Sequence, residues 1–233
     1  MTEEVKEDLG AMRKPYFTPE TLFLEDELVK DPIQQFKIWF DEAKAHSGIR
    51  EANACCLATC GANGYPSARI VLLKGFSNEG FTFFTNYNSR KARELADNNK
   101  AAMTFYWEPL VKQIRIEGRV EKIPEQDSEE YFLSRPLVSK IGAWASPQSQ
   151  PVPDRAYLDT RVKEFETKFG DQVPKPEHWG GYVLRAERVE FWRGQSSRVH
   201  DRIRFRKPEK DEKVDGVLVH PGLHDWVYER LGP

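Results

Sequence analysis

From Val111 to Lys122 the chain sets two kinds of side chain on alternate positions. Ile114, Ile116, Gly118 and Val120 fall on one set; Gln113, Arg115, Glu117 and Arg119 fall on the other. A period of two sends successive side chains to opposite faces of an extended backbone, so this segment is a half-buried strand and its surroundings must supply a sheet. Strand signals recur on both sides of it. Ala54–Cys60 and Ser67–Lys74 flank the turn signal Asn63-Gly64, Phe81–Thr85 follows, and Ala101–Trp107 meets Val111–Lys122 across Glu108-Pro109-Leu110. Further strands are predicted at Gly181–Leu184, Val189–Trp192, Asp201–Arg206, Val217–Val219 and Asp225–Glu229.

Helices are inserted between these strands. Asp31-Pro32 reads as an N-cap followed by proline at the first helical position, and Ile33, Phe36, Phe40 and Ala43 recur at helical spacing. Ser89 caps a short helix over Arg90–Ala96, and Glu125–Ser134, Ser139–Ala145 and Asp154–Phe169 make a helical middle interrupted by Pro147, Pro151 and Pro153. The pattern predicts an α+β chain built on a mostly antiparallel barrel with peripheral helices, not a βαβ nucleotide fold. Residues 1–28 are polar with little periodicity and are expected to form a mobile arm, with 29–233 as one domain.

Composition narrows the function. The 233 residues carry 35 basic and 37 acidic side chains, a poor balance for coating nucleic acid or binding an acidic membrane surface. No apolar run approaches the roughly 18 residues of a transmembrane helix. The acidic start, Met1 to Asp8, lacks an apolar stretch, so no secretory signal is expected and the location is read as cytoplasmic. Cys55, Cys56 and Cys60 share one apolar run without C-x-x-C spacing, and are read as small hydrophobes of a strand. His46, His178, His200, His220 and His224 show no ligand spacing, so no metal is expected.

The glycine-rich nucleotide fingerprints and the G-x-S-x-G elbow are missing, so any phosphate must be held by side chains. Four clusters could do this. Arg69 and Lys74 bracket an apolar strand, and are either anion ligands or exposed strand charges. Arg90 and Lys91 occupy the first turn of a helix, where cations are disfavoured unless an anion joins them or solvent screens them. Tyr131 and Arg135 share a helix face, Pro136 breaks the helix, and Ser139 can turn back toward them; a phosphate clamp and a surface packing pair both fit. Arg198, His200, Arg202, Arg204 and Arg206 would line one face if extended, with Arg204 and Arg206 expected to face solvent.

Taken together, these stretches closely resemble the pyridoxamine 5′-phosphate oxidase family. The resemblance rests on Arg69-Ile-Val-Leu-Leu-Lys74, Phe84-Thr-Asn-Tyr-Asn-Ser-Arg-Lys91, Tyr131-Phe-Leu-Ser-Arg-Pro136 and Ile141-Gly-Ala-Trp-Ala-Ser-Pro-Gln-Ser149, then Trp179-Gly-Gly-Tyr182, Glu190-Phe-Trp-Arg-Gly194, Arg198-Val-His-Asp-Arg202 and Glu229-Arg-Leu-Gly-Pro233. It implies an FMN-binding split β-barrel and a homodimer with sites at the subunit interface. It assigns FMN to Arg69, Ile70, Val71, Leu72, Phe84, Thr85, Arg90, Lys91, Gln113, Gln148, Ser149, Trp192 and Arg202. It assigns the substrate phosphate to Lys74, Tyr131, Arg135 and Ser139, and the substrate ring and its reacting side to Arg198, Val199 and His200, with Arg198 and His200 as catalytic residues. Pro147, Gln150, Val199 and Gly232 depart from the family pattern without removing a charged group. The stretch Met12-Arg-Lys-Pro-Tyr16 resembles a lid that closes through Arg13 and Tyr16.

The implied activity is oxidation of pyridoxamine or pyridoxine 5′-phosphate to pyridoxal 5′-phosphate, with oxygen reduced to hydrogen peroxide. Two rivals are a non-catalytic carrier of FMN or pyridoxal phosphate and a flavin reductase with a nicotinamide donor. Arg198 and His200 argue against the first, and a second phosphate clamp without an adenine site argues against the second. Strict alternation puts Arg69 and Lys74 on opposite strand faces, so a bulge or strand end near Leu73-Lys74-Gly75 is expected, with Lys74 bending inward.

Overall fold

The computed structural model describes Leu9, Met12 and residues 22–233. Arg13 and Tyr16 lie outside the described residues, as does most of the expected arm. The described end of that arm is anchored: Phe23 is buried against Trp39 and Phe191, its amide donates to Asp201 Oδ2 at 3.0 Å, and Arg230 donates to its carbonyl.

Hairpin β1 (Ala54–Cys60) and β2 (Pro66–Leu72) pairs in register from Ala54↔Leu72 to Cys60↔Pro66. On its other edge β1 meets β5 (Lys100–Trp107), which pairs with β6 (Lys112–Lys122) across a 3-10 turn at Glu108–Leu110. The other edge of β6 is covered by β7 (Trp179–Arg193), the pivot of the sheet. The first half of β7 pairs with β4 (Gly80–Asn86), and its second half pairs with β8 (Asp201–Arg206). One edge of one strand thus serves two neighbours, and the sheet splits there. β3 (Gly75–Ser77) pairs with β4, while β10 (Val227–Arg230) joins β8 to β9 (His220–Pro221). Every pairing among the described residues is antiparallel, so the expected α+β, mostly antiparallel architecture holds.

The alternation in β6 does what the sequence implies: Ile114 and Ile116 are fully buried while Arg115 and Glu117 face outward. Register slips by one residue at Glu117/Gly118. Only glycine fits there, because a Cβ on Gly118 would lie 1.9 Å from the Arg185 carbonyl oxygen. Helix α1 (Pro32–Ala45) is capped by Asp31, whose carboxylate accepts from the Ile33 amide at 2.8 Å. Its buried stripe is Ile33, Phe36, Trp39 and Ala43, and Phe36 meets Phe76, Phe81 and Phe105 edge-on. Helix α2 (Arg90–Asp97) starts at Ser89 as expected. Helices α3 (Glu125–Ser134), α4 (Leu137–Ala145) and α5 (Arg155–Phe169) surround a smaller core of Phe132, Ile141, Val173 and Trp179.

Three expectations need correction. The two strands predicted at 181–184 and 189–192 are one continuous strand. The polar run Arg185 to Arg188 resembles a turn, yet its charges pair across the sheet: Arg185 with Glu121 and Glu79, Arg119 with Glu187. No strand forms at Val217–Val219, whose amides all donate to the Asp215 carboxylate at 2.8–3.0 Å, curling the segment into a loop. Arg198 and His200 precede β8 rather than lying on it: Arg198 has φ 70 and its amide returns to the Gln195 carbonyl, so the segment is a turn.

Candidate functional site

The first cluster gathers around the start of α2. Ser89 fixes the helix end, setting Arg90 and Lys91 in the first turn beside the last residues of β4. Lys91 Nζ donates to Thr85 Oγ1 at 3.1 Å and to Gln148 Oε1 at 2.9 Å. Burial, then the nearby Arg69, pushes the Lys91 ammonium down to about 8. Arg69 donates to the Leu57 carbonyl, to Thr59 and Ser67, and to Glu94 Oε2 at 3.3 Å. Arg90 Nε donates to Glu94 Oε1 at 2.8 Å. Burial opposes ionisation of Glu94, but hydrogen bonds from Ser67, Thr59 and Arg90 outweigh it and hold the carboxyl near 2. Three cations on one wall, one of them destabilised by burial and like charge, suit an anion such as a phosphate.

The second cluster lies on α3 and the adjoining ends of β4 and β7. Tyr131 stacks on Phe84 at 4.0 Å, and Phe84 stacks on Trp179 at 5.3 Å. Close stacking relies on Gly181, where a Cβ would lie 2.8 Å from the Phe84 ring. Arg135 ends α3 in extended conformation before Pro136, with its guanidinium 4.6 Å above the Trp179 ring. Its NH1 is buried and bonds to nothing among the described residues. A buried guanidinium donor without an acceptor is costly, which favours an anionic ligand at this place. Ser139 sits on the first turn of α4, its amide bonded to the Pro136 carbonyl, and is half-buried.

Lys74 is not joined to this group by any hydrogen bond among the described residues. The expected strand end is present: β2 stops at Leu72, and the Lys74 amide donates to the Thr82 carbonyl. The side chain, however, is exposed and lines a cavity of about 370 Å³ with Phe40, Lys44, Arg50 and Phe76. Ile70 points away from Arg69 and is 68% exposed, while Val71 and Leu72 are half-buried.

The third cluster is built from direct cross-strand neighbours, Gln113 on β6, Trp192 on β7 and Arg202 on β8. Arg202 donates to Glu190 at 2.9 Å and to the Gly232 carbonyl at 2.8 Å. Beyond it, Arg204 and Arg206 pair with Glu229 and Glu212; these carboxylates cover them, so Arg206 is only 13% exposed and, contrary to expectation, does not face solvent. The His200 ring lies 4.9 Å from that of Trp192. Its Nδ1 accepts the Gln195 amide at 2.9 Å, so the neutral imidazole carries its proton on Nε2. Burial and then Arg198 depress its pKa, with Asp201 acting in the opposite sense. Gln195 is itself held by Asp201 at 2.7 Å. Arg198 and Ser149 both adopt left-handed backbone, and Val199 is exposed.

Thr85 aligns with Gly180 at one end of β7, and Gln113 with Trp192 near the other. From Gly180 to Trp192 an extended strand covers roughly 40 Å, too far for one small ligand to touch both ends. Gln113 and Gln148 are therefore not neighbours within one chain. Glu94, Gln195 and Trp179 had no role assigned from sequence. Trp179 stood in a stretch that carries the family resemblance, and the helical i, i+4 spacing of Arg90 and Glu94 is the signal that could have found Glu94.

Comparison with known proteins adds to this geometry. A family model described as pyridoxamine 5′-phosphate oxidase matches residues 41–169, and one described as the pyridoxine 5′-phosphate oxidase C-terminal dimerisation region matches residues 179–233. The pyridoxine/pyridoxamine 5′-phosphate oxidase of Bombyx mori is 52% identical over 230 residues, covering 97% of this chain and 90% of that protein. The pyridoxine-5′-phosphate oxidase of Bos taurus is also 52% identical, covering 97% of this chain and 88% of that protein. Among solved structures, PhzG from Burkholderia lata 383, in complex with tetrahydrophenazine-1-carboxylic acid, superposes with a TM-score of 0.79 at 29% identity. It covers 92% of this chain and 98% of that one. A pyridoxamine 5′-phosphate oxidase-related, FMN-binding protein from Nostoc punctiforme shares the fold, with a TM-score of 0.63 at 17% identity over 85% of this chain and 97% of that one.

Proposed function

The chain belongs to the pyridoxamine 5′-phosphate oxidase family, and from that premise we infer that it uses FMN to oxidise pyridoxamine and pyridoxine 5′-phosphates to pyridoxal 5′-phosphate. The observation that carries the reading to this chain's own residues is the presence of two separate anion clamps. Arg69, Arg90 and Lys91 form one. Tyr131 and Arg135, with the buried unbonded NH1, belong to the other. A phosphorylated cofactor and a phosphorylated substrate require two such places.

When bound, FMN supplies a two-electron acceptor for the substrate C4′ carbon and returns the electrons to oxygen, giving hydrogen peroxide. The chain's own task is then to bind and orient. Arg69, Arg90, Lys91 and Thr85 would neutralise the FMN phosphate, while Gln113, Trp192 and Arg202 would meet the cofactor from a second copy of the chain. The separation of these groups along β7 supports that division, as does the match to a dimerisation region. Arg135, Tyr131 and Ser139 would hold the substrate phosphate. Lys74, whose long side chain is exposed, would join them by reaching across the surface or from the second copy.

His200 acts as a hydrogen-bond donor from Nε2, because protonating Nδ1 would break the bond from the Gln195 amide. Such a donor can orient the phenolic oxygen of the substrate ring, with Arg198 alongside. Residues 29–233 are taken as one domain, since β7 from one matched region pairs with β4 and β6 from the other. Among the described residues no helix is long and apolar enough to cross a membrane. Cytoplasmic location, oxygen as acceptor and the lack of a nucleic-acid partner complete the proposal.

Anaerobic mixing of the FMN-loaded protein with pyridoxamine 5′-phosphate tests it. Flavin absorbance should bleach, and peroxide should appear on admitting air. A yellow protein that binds the substrate without bleaching would instead be a carrier.

A further inference from the structure

We propose that Glu94 is a positioning residue for the FMN phosphate, holding Arg69 and Arg90 in a fixed arrangement so that the clamp offers the Arg90 guanidinium to one dianion with the charge of Arg69 beside it. The proposal rests on the assignment of Arg69, Arg90 and Lys91 to that phosphate.

Glu94 follows Arg90 by one helical turn, and its two carboxylate oxygens do separate work. Oε1 accepts Arg90 Nε at 2.8 Å. Oε2 accepts the hydroxyls of Thr59 at 2.5 Å and Ser67 at 2.6 Å, together with Arg69. The carboxylate is therefore anchored to β1 and β2 on one side and steers an arginine of α2 on the other. Gripping Arg90 by Nε leaves its terminal nitrogens, which bond to nothing among the described residues, available to a phosphate.

Charge leads to the same place. Without Glu94, Arg69, Arg90 and Lys91 would repel one another across a partly buried wall. With it, three cations and one carboxylate sum to two positive charges, which matches a phosphate monoester of about −1.5 to −2. The Glu94 side chain is itself only 11% exposed, so its anchoring bonds are shielded from water.

The test compares FMN with riboflavin, which lacks the phosphate, using quenching of flavin fluorescence by the parent protein and by Glu94→Gln. The parent should prefer FMN. Glu94→Gln should shrink that preference by about tenfold or more, the worth of one charge-assisted hydrogen bond, while riboflavin affinity stays at the parent value. Thr59→Val removes one anchor of the carboxylate, should shift the preference in the same direction by less, and serves if Glu94→Gln is insoluble. The proposal is overturned if the variants keep the parent's preference, strengthen it, or lose FMN and riboflavin alike, since a merely structural residue would weaken both flavins equally. A parent protein that binds the two flavins equally would remove the phosphate assignment itself, and the proposal with it.

Discussion

Replacing Arg135 by leucine should weaken substrate binding without weakening the fold. Arg135 NH1 is buried with no acceptor among the described residues, which costs about 1–3 kcal/mol. The same guanidinium lies 4.6 Å from the Trp179 ring centroid, a contact worth about 0.5–2 kcal/mol. Leucine removes both terms and keeps an apolar stem against Trp179 and Phe132. The two effects nearly cancel, so stability should change by no more than about 1 kcal/mol, or roughly 2–4 °C in Tm for a chain of this size. Binding should respond differently. Loss of a charged bond to phosphate removes about 1.5–3 kcal/mol, or roughly ten- to a hundredfold in affinity. Thermal melts of the FMN-loaded variant and its Kd for pyridoxal 5′-phosphate measure the two quantities side by side. A variant that melts far below the parent yet binds pyridoxal 5′-phosphate normally would falsify the clamp and make Arg135 a packing residue.

Further tests address the other clusters. Mixing Lys91→Ala chains with Arg202→Gln chains should restore FMN binding in one site of each mixed dimer, because the damaged groups lie at opposite ends of β7; no recovery beyond that of the separate variants would place both groups in one chain's site. Arg202→Gln alone should raise the FMN Kd measured by fluorescence quenching, and an unchanged constant counts against its placement. FMN affinity should fall as pH rises through about 8, where free Lys91 loses the proton that attracts phosphate; a flat profile between pH 6 and 10 would exclude Lys91 from the clamp. His200→Asn should keep FMN but slow single-turnover flavin reduction. In the parent, reduction should decline on acidification through the depressed His200 pKa, as Nδ1 gains a proton and releases the Gln195 amide. Equal rates in parent and variant across that range would make His200 a bystander.

Features decided within one turn or one strand were legible in the chain itself. Asp31 and Ser89 cap their helices because the capping oxygen and the amides it satisfies are two or three residues apart. Ile114 and Ile116 are buried and Arg115 is not, because alternation is a property of any extended backbone. Pro136 ends α3 at Arg135 by local steric conflict. Other features depend on partners far away in sequence. Arg185 to Arg188 stays in β7 because Glu121 on β6 and Glu79 in the turn before β4 reach it, and Val217–Val219 leaves the sheet because Asp215 offers its amides a nearer acceptor. Arg198 takes left-handed backbone in a turn that sequence alternation reads as extended. Residue types alone suggested which side chains could hold phosphate. Only the tertiary structure showed that Thr85 on β4 and Gln113 on β6 pair with opposite ends of β7, because the distance between two side chains is set by the strands that pair between them and not by the identity of either residue.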